Sequence, residues 1–371
     1  MVSQQKHQFL LLDGSRLIVE ACVQAGADVY VGYPITPANL IYSYSSQRFP
    51  SLLPAPDEIS ALQWISGLSA TGHLPVTATS FPGFALMIET LNMAYMMELP
   101  MLIILVQRLG PATGTATAGA QGDLQLLHGI ISGGYPIPVF CIANLRDCWE
   151  LPPQALETAL KLRTPVVLLT SKEMVMTQAS FDLSGLKEIK PIQRENNSSE
   201  KAIRAHQDGK HRSRKFLAVG NDKQPVRLNA STHDHQGYLR HTQPEAIENT
   251  IRLQDKVDQG TPTLYEFDQQ EGAHTLLVSY GISSGACRVA IQQLRSYGMR
   301  VSLFVPRTLL PVPPVYRSIL ESHPQLLFVE ENHQGQFGRL LFGELLPERV
   351  RTLGAVGNMV SPENILRAVT Q

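Results

Sequence analysis

The feature that most limits what this chain can become is a regular alternation. From about residue 15 to 175, short apolar runs take turns with helical patterns, and from about 273 the alternation resumes. Parallel strands cannot be joined by tight turns and need crossover helices, so the pattern predicts a doubly wound parallel sheet of the α/β class. Strands are expected at Val29 to Val31, Val76 to Thr79, Leu102 to Val106, Val139 to Ile142 and Val166 to Leu169. Helices are expected at Arg16 to Gln24, Glu58 to Thr71, Phe84 to Met97 and Gln154 to Leu162. The later block predicts strands at Thr275 to Ser279, Arg300 to Phe304 and Leu326 to Glu330, with helices at Ser284 to Tyr297 and Pro314 to His323. A chain of 371 residues that is 43% hydrophobic is long enough for two cores. The expected division is a first domain over 1–185, a basic irregular linker over 186–262, and a smaller α/β domain over 263–371.

Charge argues against some partners. A formal net charge of -1 gives no reason to expect nucleic acid or an anionic membrane. The stretch 186–262 differs from the rest, holding 14 of the 31 Lys and Arg against 10 acids, with a basic cluster from Lys210 to Lys215. It reads as a solvated face or as a docking surface for an acidic partner. Four cysteines, at 22, 141, 148 and 287, have no cluster or zinc spacing and are expected to be buried free thiols. With no long apolar stretch and a polar N-terminus, a cytoplasmic location is expected.

In open α/β sheets ligands bind beyond the carboxyl ends of the strands. Two rigid turns fall there: Tyr33-Pro34-Ile35-Thr36-Pro37 and Ser80-Phe81-Pro82-Gly83. Glu58 heads an apolar helix, where an acid stabilises the helix dipole. In a dry pocket, the same carboxylate can share a proton with a cofactor heterocycle. Arg108 ends an apolar strand and precedes a loop of small residues, a position suited to gripping a substrate carboxylate or to a structural ion pair. The Thr36 hydroxyl is suited to a ligand or to capping a helix that starts near Asn39. Neither a dinucleotide nor a P-loop fingerprint is present, and no histidine pattern suggests a metal ligated by this chain.

Five ordered strings carry the reading further: Gly32-Tyr33-Pro34-Ile35-Thr36-Pro37, Asp57-Glu58-Ile59, Thr77 to Met87, Glu98-Leu99-Pro100, and Val106-Gln107-Arg108-Leu109-Gly110-Pro111 running on to Gly114. In this order they resemble the alpha subunit of 2-oxoacid:ferredoxin oxidoreductases. His233-Asp234 with Gly237, Tyr280-Gly281, and Glu330-Glu331-Asn332 with Gly335-Gln336 add to the resemblance, which covers most of the chain. It implies a pyrimidine-binding domain of a thiamine diphosphate enzyme followed by a domain similar to the C-terminal domain of transketolase. By resemblance Glu58 bonds the aminopyrimidine ring, with Tyr33, Pro34, Ile35, Pro82 and Gly83 around the cofactor, and Thr36 and Arg108 meet the 2-oxoacid.

The implied reaction is oxidative decarboxylation of a 2-oxoacid, with 2-oxoglutarate preferred. Coenzyme A takes the acyl group and electrons pass through an iron–sulfur cluster to ferredoxin. Thiamine enzymes hold the diphosphate and magnesium (Mg2+) with a Gly-Asp-Gly turn followed by asparagine. The nearest string here, Gly122-Asp123-Leu124, lacks the second glycine. Both that turn and the cluster are therefore expected from a separate beta subunit, in a heterodimer or heterotetramer. Phe81 stands where the family usually has glycine, which is expected to reshape the pocket or to clash with a positive backbone angle. The alternatives are a non-redox thiamine-dependent decarboxylase subunit and a scaffold subunit that has lost the cofactor.

Overall fold

The computed structural model describes residues 8–194, 216–222, 225–234 and 236–371. The basic cluster 210–215 lies outside the described residues. The first block of alternation becomes a seven-stranded sheet. Its order is Thr308–Leu310, Val139–Cys141, Pro165–Ser171, Met101–Gln107, Pro75–Thr79, Val29–Gly32 and Ser51–Pro54. All neighbours run parallel except Thr308–Leu310, an antiparallel edge lent by the later part of the chain. The central strand Met101–Gln107 is buried at every position, as a strand covered on both faces by helices must be.

Side-chain parity explains the layering. Met101, Ile103 and Leu105 pack with Ala61, Leu62 and Ile65 of the helix Glu58–Ala70 and with Phe84, Met87 and Leu91 of the helix Phe81–Met96. Leu102, Ile104 and Val106 point the other way, toward the helices Gly14–Gln24 and Asp147–Leu162. Each such side chain contributes about 1.5–3 kcal/mol relative to exposure.

The second sheet orders Val350–Gly354, Gln325–Glu330, Thr275–Ser279, Val301–Pro306 and Tyr265–Asp268, with only the last antiparallel. One of its faces shares the core of Met101 and Ile103 through Leu276, Val278, Phe304 and Phe328. Its other face packs beneath the helices Ser283–Ser296 and Pro362–Thr370.

The stretch 186–262 is not irregular throughout. It contains the 17-residue helix Pro244–Gly260, bolted to the first sheet's helices by a buried polar network. Glu98 accepts from Arg252 at 2.5 and 3.1 Å and from Lys256 Nζ at 2.8 Å, and Lys256 also donates to the Arg163 carbonyl at 2.8 Å. The Tyr95 hydroxyl donates to the Leu253 carbonyl at 3.0 Å. All four cysteines are free and buried. No helix among the described residues is long and apolar enough to cross a membrane.

Candidate functional site

The two rigid turns follow the strands Val29–Gly32 and Pro75–Thr79, which pair side by side in parallel, so both open at the same end of the sheet. At the head of the helix Glu58–Ala70 two acids divide the work. Asp57 caps the helix, its Oδ1 accepting from the Ser60 N–H at 2.7 Å, a contact worth about 1 kcal/mol. Capping is thus done by Asp57, and Glu58 is left for something else. Its side chain is only 6% exposed, and burial pushes its carboxyl above the usual carboxylate range. The Glu58 backbone N–H pulls it partly back, and the charge of Asp57 pushes it further up.

Gly83 is in the first turn of the helix Phe81–Met96, flat against that carboxyl. A Cβ there would lie 2.3 Å from Glu58 Oε1 and 2.3 Å from Thr79 Oγ1. Only glycine lets the helix Phe81–Met96 pass this close to Glu58 and Thr79. Thr79, which no sequence pattern singled out, therefore lines the site with Glu58. Phe81 and Pro82 are half-buried at the start of the helix. Phe81 does not have a positive φ, so the expected backbone clash does not occur.

The second group of residues meets at Thr36. Its carbonyl accepts from Arg108 Nη1 at 2.6 Å and from the Ser80 hydroxyl at 3.3 Å. Ser80 directly follows Thr79, so the Thr36 and Arg108 group adjoins the Glu58 and Gly83 group. The helix after Pro37 starts at Asn39 with Ala38 as its cap residue, so the Thr36 hydroxyl is not used for capping. Ile35 packs on the core of the first sheet, while Tyr33, 41% exposed, and Pro34 face outward at the rim.

Arg108 is 8% exposed and, among the described residues, forms no ion pair within 4.0 Å. Its Nε is buried without a hydrogen-bond partner. Of the two sequence readings, the structural ion pair is not found among the described residues, and Nη1 is held by the Thr36 carbonyl instead.

The loop after Arg108 is fastened by Gln121, another residue that sequence reasoning passed over. Its backbone N–H donates to the Glu331 carbonyl at 2.8 Å, its Nε2 donates to the Tyr280 carbonyl at 2.6 Å, and its Oε1 accepts from the Glu331 N–H at 2.7 Å. The Tyr280-Gly281 and Glu330-Glu331-Asn332 strings are thus the sockets of one side chain. Glu330 is buried and accepts from Asn332 Nδ2 at 2.7 Å and from the Phe337 N–H. His233 is likewise placed, with Nδ1 against the Ser231 carbonyl at 2.8 Å, and Asp234 accepts from the N–H groups of Gln236 and Tyr238. Among the described residues no group of three or more His, Cys, Asp or Glu gathers as a metal site.

Comparison with known proteins gives this arrangement a context. Residues 20–252 match the family described as pyruvate flavodoxin/ferredoxin oxidoreductase, thiamine diP-binding. The chain is 29% identical over 364 residues to the 2-oxoglutarate synthase subunit KorA of Archaeoglobus fulgidus, covering 97% of this chain and 98% of that one. It is 28% identical over 378 residues to the ketoisovalerate oxidoreductase subunit VorB of Methanothermobacter thermautotrophicus, with 97% of each covered. Among solved structures, 2-oxoglutarate:ferredoxin oxidoreductase from Magnetococcus marinus, with 2-oxoglutarate, coenzyme A and succinyl-CoA bound, aligns with a TM-score of 0.87 and 26% identity. The alignment covers 98% of this chain and 65% of that one. A split-gene transketolase aligns over 97% of both chains with a TM-score of 0.54 and 13% identity, a likeness of fold alone.

Proposed function

Because the chain belongs to the pyruvate flavodoxin/ferredoxin oxidoreductase family, we propose that it is the alpha subunit of a 2-oxoacid:ferredoxin oxidoreductase and supplies the pyrimidine side of a shared thiamine diphosphate site. The proposed division is a pyrimidine-binding domain over 1–185, a connecting stretch over 186–262, and a transketolase C-terminal-like domain over 263–371. The observation that supports the reading is the buried Glu58 carboxyl, raised above the usual carboxylate range and set beside Gly83 and Thr79. A buried carboxyl with raised proton affinity, set closely against Gly83 and spared from capping by Asp57, fits a group that bonds a protonatable ring nitrogen.

When bound, thiamine diphosphate supplies the nucleophilic carbon that adds to the keto group of the oxoacid and accepts the charge left as carbon dioxide departs. The chain's own residues bind and orient. Glu58 holds a proton at the pyrimidine ring, in surroundings where burial makes that proton easy to keep. Tyr33, Pro34, Ile35 and Pro82 shape the walls, and Arg108, steadied by the Thr36 carbonyl, grips the oxoacid carboxylate. A beta subunit holds the diphosphate, Mg2+ and the iron–sulfur cluster, ferredoxin takes the electrons, and coenzyme A takes the acyl group. The preferred substrate is 2-oxoglutarate, in line with the KorA relatives, and the VorB likeness makes a branched oxoacid the first competitor.

The test is co-expression with the partner subunit, followed by thiamine analysis and viologen reduction with a panel of 2-oxoacids. Bound thiamine with reduction by 2-oxoglutarate is expected. A complex that binds no thiamine defeats the reading. Arg108→Ala should raise KM for the oxoacid at least tenfold with a smaller change in kcat, and an unchanged KM removes Arg108 from the substrate site.

A further inference from the structure

The second sheet is built outward from Thr275–Ser279, with Val301–Pro306 on one side and Gln325–Glu330 on the other. Open α/β sheets take their ligands at such a switch of order, beyond the carboxyl ends of the two strands that flank it. Here a side chain from the first domain sits there. Tyr280 directly follows Thr275–Ser279 and Glu331 directly follows Gln325–Glu330, and Gln121 bonds to both. Its Nε2 donates to the Tyr280 carbonyl at 2.6 Å and its Oε1 accepts from the Glu331 N–H at 2.7 Å. Oε1 also accepts from the Ser283 hydroxyl at 2.8 Å, and the Gln121 carbonyl accepts from Asn332 Nδ2 at 3.1 Å. Gly281, at φ +59°, makes the room, because a Cβ there would lie 2.7 Å from Gln121 Nε2. An amide carries a donor and an acceptor at fixed spacing, so neither a carboxylate nor a hydrocarbon of the same length satisfies both partners.

The arm that Gln121 fixes is bonded to both chain neighbours of Arg108. Gln107, before it, accepts at Oε1 from the Asp123 N–H at 3.4 Å, and Leu109, after it, donates its N–H to the Ala118 carbonyl at 2.8 Å. Between Ala118 and Asp123 the Gly119 N–H donates to Glu173 Oε1 at 3.0 Å, and Gln336 Nε2 donates to the Gly122 carbonyl at 2.9 Å. Residues 110–115 are small and exposed, and little packing of their own holds this register. Among the described residues the Arg108 side chain itself has one bond, from Nη1 to the Thr36 carbonyl, so its aim depends on where the backbone at 107–109 is held. We propose that Gln121 is a positioning residue for the oxoacid: seated at the switch point of the second sheet, it acts through the loop to hold Arg108 in its gripping position. The second domain thereby takes part in substrate recognition. The proposal rests on the reading that Arg108 meets the oxoacid carboxylate.

The experiment uses the complete complex with its partner subunit in wild type, Gln121→Met, Arg108→Ala and the double variant. It measures KM and kcat for 2-oxoglutarate, the dissociation constant of 2-oxoglutarate in the thiamine-free complex, and thiamine affinity. Gln121→Met should raise KM and the dissociation constant about tenfold, with kcat and thiamine affinity within about threefold of wild type. Because Gln121 acts through Arg108, adding Gln121→Met to Arg108→Ala should raise KM by less than about twofold more. A full further rise of about tenfold in the double variant, or a thiamine affinity that falls as far as that for the oxoacid, overturns the proposal. Should Gln121→Met fail to assemble, Gln336→Met, which releases the same arm at Gly122, should raise KM about threefold, and an unchanged KM there overturns the proposal. Arg108→Ala separates the proposal from the reading it rests on. An unchanged KM in that variant defeats the Arg108 assignment, whereas a raised KM there beside an unchanged one in Gln121→Met defeats Gln121 alone.

Discussion

The carboxyl of Glu58 and the Cα of Gly83 are in such close apposition that a Cβ on residue 83 would come within 2.3 Å of Glu58 Oε1. Two opposing magnitudes decide what Gly83→Ala does. In a helix, alanine is intrinsically favoured over glycine by about 1 kcal/mol, whereas overpacking a fixed site costs about 1–3 kcal/mol. Because the obstacle includes Thr79 as well as Glu58, the steric cost should win and Glu58 should be displaced. The expected outcome is a small loss of stability and at least a tenfold loss of thiamine affinity in the assembled complex, read by cofactor titration. A stabilised variant with normal affinity would mean that the apposition does not hold Glu58 in place.

Glu58→Gln keeps the shape and removes the proton-holding role. Loss of a general acid–base group costs about 10²–10⁴ in rate, so turnover should fall by at least that range while the subunits still assemble. Because burial raises the Glu58 carboxyl, its ionised form is disfavoured in the fold, and stability should decline slightly as pH rises through its titration. The Gln variant should lose that decline. Size-exclusion chromatography and viologen reduction check assembly and rate together. Wild-type rates in Glu58→Gln would end its candidacy.

Much of this was legible because the periodicity is strong where both faces of the sheet are covered. Met101 to Val106 is apolar at every position, and it became the central strand. Glu58 ahead of an apolar run announced a helix start, but that Asp57 rather than Glu58 takes the cap appears only in the structure. The helix Pro244–Gly260 was hidden because its buried stripe, Ala246, Asn249, Leu253, Lys256 and Val257, includes an amide and a lysine that pattern reading assigns to solvent. The strand Thr308–Leu310 crosses to the first sheet, and nothing local specifies which edge a three-residue strand will join. Gln121 acquires meaning only through partners 159 to 210 residues away.

Glu331 offers a test of the electrostatics around the loop. Its Oε1 is buried and unpartnered, and burial first, then the charge of Glu173, lifts its carboxyl to about 7. A carboxyl whose folded value is raised stabilises the fold below its unfolded value, about 4.3, and loses that contribution as pH climbs toward 7. Glu331→Gln should therefore gain about 1–3 kcal/mol over wild type at pH 8 and almost nothing at pH 4.5. Denaturant midpoints at the two pH values check it. An equal gain at both would show that packing, not charge, is responsible.

The buried network at Glu98 makes an ordering prediction. Arg252 holds both carboxylate oxygens and Lys256, fully buried, holds one of them, so the acid is the element on which two cations depend. Glu98→Gln strands those cations and should cost about 3–5 kcal/mol. Lys256→Met leaves the Arg252 pair intact and loses two hydrogen bonds, a cost of about 1–3 kcal/mol. Burial depresses the Lys256 ammonium to about 7, which lets the lysine shed its charge in mild alkali. A base with a lowered folded value destabilises progressively as pH falls from its unfolded range toward that value, so the penalty of Glu98→Gln should be larger at pH 6 than at pH 9. The double variant should recover part of the loss, because the second change removes a charge that the first had stranded. Urea midpoints for the three variants at both pH values decide the matter: if Lys256→Met costs as much as Glu98→Gln, the helix Pro244–Gly260 is held by the lysine's own contacts rather than by the shared acid.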